Sequence, residues 1–416
     1  MKHIVLQPSF YDKFECIGSD CKYNCCREWI IGVTKQELKN MKRKIHTEEF
    51  REIFEDAFEK FSFNIFDYII KFDENKRCKF LDENGLCKIY QEMGPENMSL
   101  VCQIFPRTMT YYMGKYESFL DISCEEVIRL LLQEKDGIKL EVIEREVTDA
   151  EKNSATRIDA QVTRVNPILH YWTDFKILIL GVLQNREYNF GERIVVLGMA
   201  IKKADEMLRE GIKNTNVIPN YIQQFVADFN DSKNREIFDK LFENIDKSGR
   251  KRLFQYLFYH CDGAEAKEQL KIKQKMNEKV DVKTSFETEF QKTDKLNIEY
   301  NVEKYQQAMA DFEEFIKGKE YWIENVIIEG FLSYRFPFCI EGGIWKNYCA
   351  MAMIYSMMLC MWTCCLEKDS TEEDFIYYTS EFGKSLFSNK KRLMRLEEQL
   401  NKTESETLAH MAMLVL

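Results

Sequence analysis

Eight of the fourteen cysteines crowd into the first 124 residues: Cys16, Cys21, Cys25, Cys26, Cys78, Cys87, Cys102 and Cys124. The densest stretch reads Cys16-Ile-Gly-Ser-Asp-Cys21-Lys-Tyr-Asn-Cys25-Cys26, four thiols within eleven residues. A short irregular loop offers little apolar volume for that many sulfurs. Deprotonated around a thiophilic metal, the same side chains become a folding nucleus. The spacing therefore predicts a metal-thiolate domain at the N-terminus.

The alternative for a cysteine-dense segment is a disulfide framework, which belongs to oxidising compartments. The opening Met-Lys-His-Ile-Val-Leu-Gln-Pro has neither a long apolar region nor a cleavage signal, so a cytoplasmic location and reduced thiols are expected. Net charge is −10 and the pI is near 5.4, which speaks against a general nucleic-acid binder. The basic run Lys35 to Lys44 reads as the solvated face of a helix.

Only six prolines and seventeen glycines interrupt a chain rich in helix formers, so the expected fold class is mainly α. It comprises a small cysteine-rich α+β metal domain with short hairpins over residues 1–135, a charged linker over 136–155, and an all-α domain over 156–416. Within the last, residues 262–300 are dense in charge and read as a mobile connection or a solvent-covered helix.

Local signals place the cysteines. Thr34-Lys-Gln-Glu37 is a capping box that should start a helix near Lys35. The stripe Phe50, Ile53, Phe54, Ala57, Phe58 and Phe61 predicts a second helix from Glu48 to Lys60. Asn84-Gly85 between apolar flanks suggests a two-residue hairpin. That register sets Cys87 opposite Asp82 and leaves Cys78 about 13 Å along its strand. The two thiols share one metal only if the loop is wider or irregular. Thr108 to Leu120 should form another hairpin, turning at Met113-Gly114-Lys115. Ser123-Cys124-Glu125-Glu126 resembles a second capping box, which would put Cys124 in a first helical turn where free amides favour a thiolate.

Further along, Ile168 to Leu183, Val195 to Leu208, Phe225 to Phe242 and Arg252 to His260 carry helical patterns. Residues 349–366 hold no charge over eighteen positions, long enough to qualify as a membrane-span candidate. Their Met, Cys, Ser and Thr content favours a buried helix, with Cys349, Cys360, Cys364 and Cys365 as core residues, and no membrane association is expected beyond this weak exception.

Four thiolates can hold a tetrahedral zinc or a [4Fe–4S] cluster, and eight suffice for two sites. The gaps match neither the Cys-x2-Cys pair of a zinc ribbon nor the Cys-x3-Cys-x2-Cys of radical S-adenosylmethionine enzymes, since Cys26 directly follows Cys25. Five scattered histidines give no His-x3-His pair, and no Gly-x-Gly-x-x-Gly or Walker A sequence is present. Glu341-Gly342-Gly343 reads as a plain turn and Arg107 as a structural arginine.

Cys16-x4-Cys21-x3-Cys25-Cys26, Cys78-Lys-Phe-Leu-Asp-Glu-Asn-Gly-Leu-Cys87-Lys-Ile-Tyr and Cys102-Gln-Ile-Phe-Pro-Arg107 resemble the zinc- or iron-chelating cysteine family. With Tyr11-Asp-Lys-Phe-Glu-Cys16, Cys25-Cys26-Arg-Glu-Trp29, Asp121-Ile-Ser-Cys124-Glu-Glu, Glu324-Asn and Phe336-Pro-Phe338, the longer match resembles the flagellin lysine-N-methylase family. That resemblance implies a cytoplasmic protein-lysine N-methyltransferase acting on flagellin. It further implies S-adenosylmethionine as methyl donor and an iron–sulfur cluster, with zinc as the alternative, on the eight cysteines. No matched motif marks a donor pocket or a general base. The competing expectation is a non-enzymatic zinc- or iron-binding scaffold or redox sensor.

Overall fold

The computed structural model describes residues 2–22, 25–27, 29–63, 65–211, 214–243, 267–287, 295–385, 394 and 406–416. The expected helix Arg252 to His260 lies outside them. The chain forms two compact units, one of residues 1–130 with 140–159, the other of 131–139 with 160–416.

The first unit runs β1 (Lys2–Pro8), β2 (Gly32–Val33), α1 (Lys35–Lys42), α2 (Glu48–Asp56), β3 (Phe58–Phe63), β4 (Phe66–Ile70), α3 (Lys88–Met93), α4 (Leu100–Ile104), β5 (Arg107–Tyr112), β6 (Lys115–Leu120), α5 (Glu125–Leu131), β7 (Leu140–Glu146), α6 (Asp149–Ser154) and β8 (Thr156–Ile158). Two sheets result, one of five strands ordered β7-β1-β6-β5-β8 and one of three ordered β2-β4-β3. The stretch 136–155, expected as a linker, thus supplies β7, which pairs antiparallel with β1 along its whole length, and α6.

Local chemistry explains several boundaries. The Thr34 hydroxyl accepts from the Glu37 amide at 3.2 Å while the Glu37 carboxylate accepts from the Thr34 amide at 2.7 Å, so the expected capping box starts α1. The β5–β6 hairpin turns where expected: Met113 and Gly114 both take positive φ (46° and 94°), the geometry of a type I′ turn. The helix expected to reach Lys60 stops at Asp56. Phe58 to Phe63 leave instead as β3, paired antiparallel with β4, with Phe58 opposite Ile70, Lys60 opposite Tyr68 and a register shift between Lys60 and Phe63. Below this small sheet a core gathers Ile31, Val33, Met41, Phe50, Phe54, Ile70 and the fully buried Phe80.

The second unit is mainly helical: α7 (Ala160–Val165), α8 (Trp172–Leu183), α9 (Phe190–Arg209), α10 (Val217–Asn230), α11 (Arg235–Glu243) and α12 (Lys267–Val280). After the hairpin β9 (Lys283–Glu287) and β10 (Lys295–Glu299) come α13 (Val302–Ile316), α14 (Tyr321–Ser333), α15 (Ile344–Cys365), α16 (Glu372–Ser385) and α17 (Leu408–Val415). The pattern Phe225 to Phe242 is broken between α10 and α11. There the Asp231 carboxylate accepts from the Lys233 amide, and Asn234 donates to the Asp228 carbonyl, a local turn that competes with the helix. The charged stretch 262–300 holds α12, which buries Ile272, Met276 and Val280, and then the hairpin.

Helix α15 is the uncharged run of the sequence and lies buried inside this unit, with Cys349, Cys360, Cys364 and Cys365 in the core. Its start is a helix cap: the Asp205 carboxylate of α9 faces the Trp345 amide at 3.4 Å, so Gly342-Gly343 is the plain turn expected. Facing Ile194 and Gly198 of α9, Tyr348 donates its hydroxyl to the Ile194 carbonyl at 3.1 Å.

Candidate metal centre

The cysteines sit on loops and helix starts around the small sheet. The Cys78 amide donates to the Cys26 carbonyl at 2.8 Å, beside a bridge between Arg27 and Arg77, so Cys25-Cys26 runs alongside Cys78. A turn closed by the Leu81 amide on the Cys78 carbonyl (2.9 Å) folds the chain back after Cys78.

The following loop is the wider one that sharing required. Its bridge joins Leu81 to Cys87, and the Asp82 carboxylate gathers the amides of Asn84 and Leu86 at 2.9 and 2.8 Å. Gly85 alone of the Asn84-Gly85 pair has positive φ (80°), so the expected two-residue type I′ turn does not form. A Cβ on Gly85 would touch the Ser19 backbone, and one on Gly18 would touch Leu86. The 16–21 and 82–87 loops therefore abut.

Cys87 occupies the N-cap position of α3. Cys102 sits in α4, whose start is held twice: Ser99 accepts from the Cys102 amide at 3.3 Å, and the second Glu37 oxygen accepts from the Leu100 amide at 2.6 Å. At Cys124 the expectation is corrected. Ser123 donates its hydroxyl and amide to Asp121, at 2.6 and 2.8 Å, and α5 begins at Glu125, so Cys124 stands just before the first helical residue rather than inside the first turn. The amides of Val127 and Glu126 reach its sulfur and pull toward the thiolate, but burial outweighs them.

Cys26, Cys87 and Cys102 pack against the core that contains Cys78. Cys16 is exposed, Cys78 buried, and Cys21, Cys25, Cys26, Cys87, Cys102 and Cys124 are half-buried. Electrostatics ties the set together through Cys25. A hydrogen bond with Cys25 pushes Cys26 up most, followed by burial and the neighbouring charges of Cys25, Cys102 and Cys78. Burial pushes Cys78 up to about 11, with Cys87 and Cys25 adding to it against the Phe80 amide. Burial likewise raises Cys87, offset in part by the Tyr90 and Ile89 amides, with Cys25 and Asp82 acting in the raising direction. Cys102 is raised by burial, against its Ser99 hydrogen bond, and by Cys25, Cys78 and Cys87. Cys124 rises to about 12 through burial, with Cys25 and Cys16 adding to it against the two helix amides.

Each of these thiols thus resists ionising beside the others, and a cation among them reverses that balance. The donor chemistry fits zinc or iron. Among the described residues no three His, Cys, Asp or Glu side chains converge closely enough to form a finished coordination set. The thiols are gathered on adjoining segments, and the Cys21 amide donates to the Gly18 carbonyl at 3.2 Å.

Sequence reasoning did not find the carboxylates that hold these loops. Glu37 was read only as a cap, and the buried Glu125 was read as part of the cysteine motif. Only tertiary contacts reveal their second role.

Residues 15–125 match a family model described as "Putative zinc- or iron-chelating domain", and residues 176–414 match "FliB lysine N-methylase C-terminal domain". Among curated proteins, a lysine-N-methylase of Salmonella typhimurium is 30% identical over 180 residues, which are 40% of this chain and 41% of that protein. A lysine-N-methylase of Salmonella choleraesuis matches to the same extent. The flagellar biosynthetic protein FliU of Salmonella muenchen is 31% identical over 155 residues, 34% of this chain and 84% of that protein. The chain spans about two fifths (41%) of the length of the two lysine-N-methylases it matches. No solved structure matches it.

Proposed function

We propose, because the chain belongs to the FliB lysine N-methylase family, that it is a cytoplasmic protein-lysine N-methyltransferase whose substrate is flagellin. S-adenosylmethionine is the methyl donor in this reading, and Cys16, Cys21, Cys25, Cys26, Cys78, Cys87, Cys102 and Cys124 hold an iron–sulfur cluster, with zinc as the alternative metal. The observation that carries it is the pairing, in one chain, of a gathered thiol set with a helical unit matched to the methylase family. The names of the relatives, lysine-N-methylase and a flagellar biosynthetic protein, support the reaction and the flagellar substrate.

In the transfer the neutral lysine nitrogen attacks the sulfonium methyl carbon. The carbon–sulfur bond breaks with its electron pair kept by sulfur, and the amine afterwards loses one proton. A solvated lysine near pKa 10.4 is mostly protonated at neutral pH, so the protein must desolvate it or take its proton. The cysteines' part is structural and electrostatic: they fix the loops of the first unit and set a local charge there. With the net charge of −10, the reading includes no nucleic-acid partner, and burial of α15 supports its role as a core helix of the helical unit rather than a membrane span.

The test incubates flagellin with anaerobically purified protein and methyl-labelled donor, beside Cys25→Ala. Label on flagellin lysines with the intact protein and its loss in the variant are expected. Absence of transfer by metal-loaded protein refutes the enzyme reading. A brown protein absorbing near ~400 nm identifies iron–sulfur; a colourless one containing zinc replaces the cluster in the proposal.

A further inference from the structure

Glu125 is 1% exposed, a carboxylate almost wholly withdrawn from water next to Cys124. Burying such a group among thiols that already repel one another's charge is costly unless its oxygens are used. One oxygen accepts from the backbone amide of Lys22 at 3.2 Å, across 103 residues of sequence, and lies 4.0 Å from the Arg129 guanidinium one turn along α5. Arg129 is in turn held by Glu126 at 2.6 Å.

Lys22 lies between Cys21 and Cys25. Its amide therefore anchors the densest cysteine loop to the helix that begins just after Cys124. Cys25 is the thiol whose charge is felt by Cys26, Cys78, Cys87, Cys102 and Cys124. We propose that Glu125 is a positioning residue of the thiolate centre: through the Lys22 amide it holds the segment that carries Cys21 beside the start of α5, next to Cys124. Groups that orient metal ligands without touching the metal commonly change affinity by about 10–100-fold when removed. The inference rests on the metal-centre reading above and adds a residue that the cysteine motif alone does not identify.

Three variants of the full chain test it. Glu125→Ala removes the acceptor and Glu125→Gln retains an acceptor oxygen without charge. Lys22→Pro removes the donor from the other side; Cys21 already has the extended backbone (φ −69°, ψ 112°) favoured before proline. Glu49→Gln, at an exposed carboxylate of α2, serves as the control. The readouts are zinc and iron content, the competition of a chelator for bound metal, and the absorption spectrum, with far-UV circular dichroism to check folding. Metal affinity should fall by about 10–100-fold in Glu125→Ala and in Lys22→Pro, by less in Glu125→Gln, and stay unchanged in Glu49→Gln. Wild-type affinity and spectrum in either Glu125→Ala or Lys22→Pro overturn the assignment while leaving the metal centre standing. Failure of the unmodified protein to bind zinc or iron overturns both. If Glu125→Ala does not fold, Lys22→Pro and Glu125→Gln decide.

Discussion

The helical unit contains an ion pair whose removal should be felt throughout it. Glu324 of α14 is 1% exposed and accepts from Arg193 at 2.6 Å and from Arg186 at 2.8 Å. Arg193 is only 5% exposed, and burial lowers its pKa against the pull of Glu324. Arg186 is 42% exposed, its pKa is raised by Glu324, and it also donates to the Lys135 carbonyl at 2.7 Å. Glu324→Gln removes the charge but keeps the shape, leaving Arg193 buried with amide hydrogens facing its own. Breaking a buried pair from one side costs about 3–5 kcal/mol. The Arg186 contact is screened by water and contributes only about 0.2–1 kcal/mol. At about 2–4 °C per kcal/mol for a unit of this size, Glu324→Gln should lower its melting temperature by ~6–20 °C. Arg186→Ala should cost about 1 kcal/mol, and Arg193→Met with Glu324→Leu should recover most of the loss, because a packed apolar pair carries no desolvation cost. Urea unfolding followed by far-UV circular dichroism measures all three. A loss below about 1 kcal/mol in Glu324→Gln, or an equal loss in Arg186→Ala, refutes the argument that burial of Arg193 sets the magnitude.

Three further outcomes follow from the same geometry. Cys25→Ala should reduce bound zinc or iron, whereas Cys349→Ala, fully buried in α15, should leave metal content unchanged; equal metal loss in both would contradict the assignment of the centre to the first unit. Hydrogen bonds from Lys79 and Lys71 hold the Asp56 carboxyl at about 2, below the ~3.9 of an unfolded aspartate. Its contribution is present above pH ~4 and lost as pH falls toward ~2, so Asp56→Asn should flatten that part of the urea-midpoint profile, and an unchanged slope would exclude the effect. A Cβ on Gly198 would lie 2.2 Å from the Tyr348 ring, so Gly198→Ala should destabilise the helical unit by about 1–3 kcal/mol; calorimetry showing no loss would mean that α9 and α15 separate freely.

What could be read from the amino-acid order is what local physics determines. The Thr34–Glu37 cap needs only residues three apart, and the Met113-Gly114 turn needs only backbone freedom at two positions, so both are present as expected. The end of α2 was less legible because Phe58 continues the helix stripe into what becomes β3; pairing with β4 decides between them. Strand β7 was hidden for a related reason. Leu140 to Glu146 mixes three apolar residues with four charged ones in no clean period on an edge strand, and only its partner β1, far away in sequence, separates it from a solvated linker.

The thiol set divides along the same line. Its chemistry follows from composition and spacing, but which loops meet depends on contacts that no spacing encodes. Cys26 meets Cys78 through a backbone hydrogen bond, and the 16–21 loop meets the 82–87 loop through two glycines. The Cys78–Cys87 difficulty shows how strongly this matters. An ideal two-residue hairpin would hold those thiols about 13 Å apart. The Asp82 carboxylate instead collects the Asn84 and Leu86 amides, and the turn after Cys78 brings the chain back. One aspartate among the cysteines thereby shapes the loop that leads to Cys87. Asp82, Glu37 and Glu125 hold three different cysteine-bearing segments by accepting backbone amides. Backbone amides are available at any sequence, so the motif visible in the cysteines is held together by carboxylates whose role the cysteine spacing does not display.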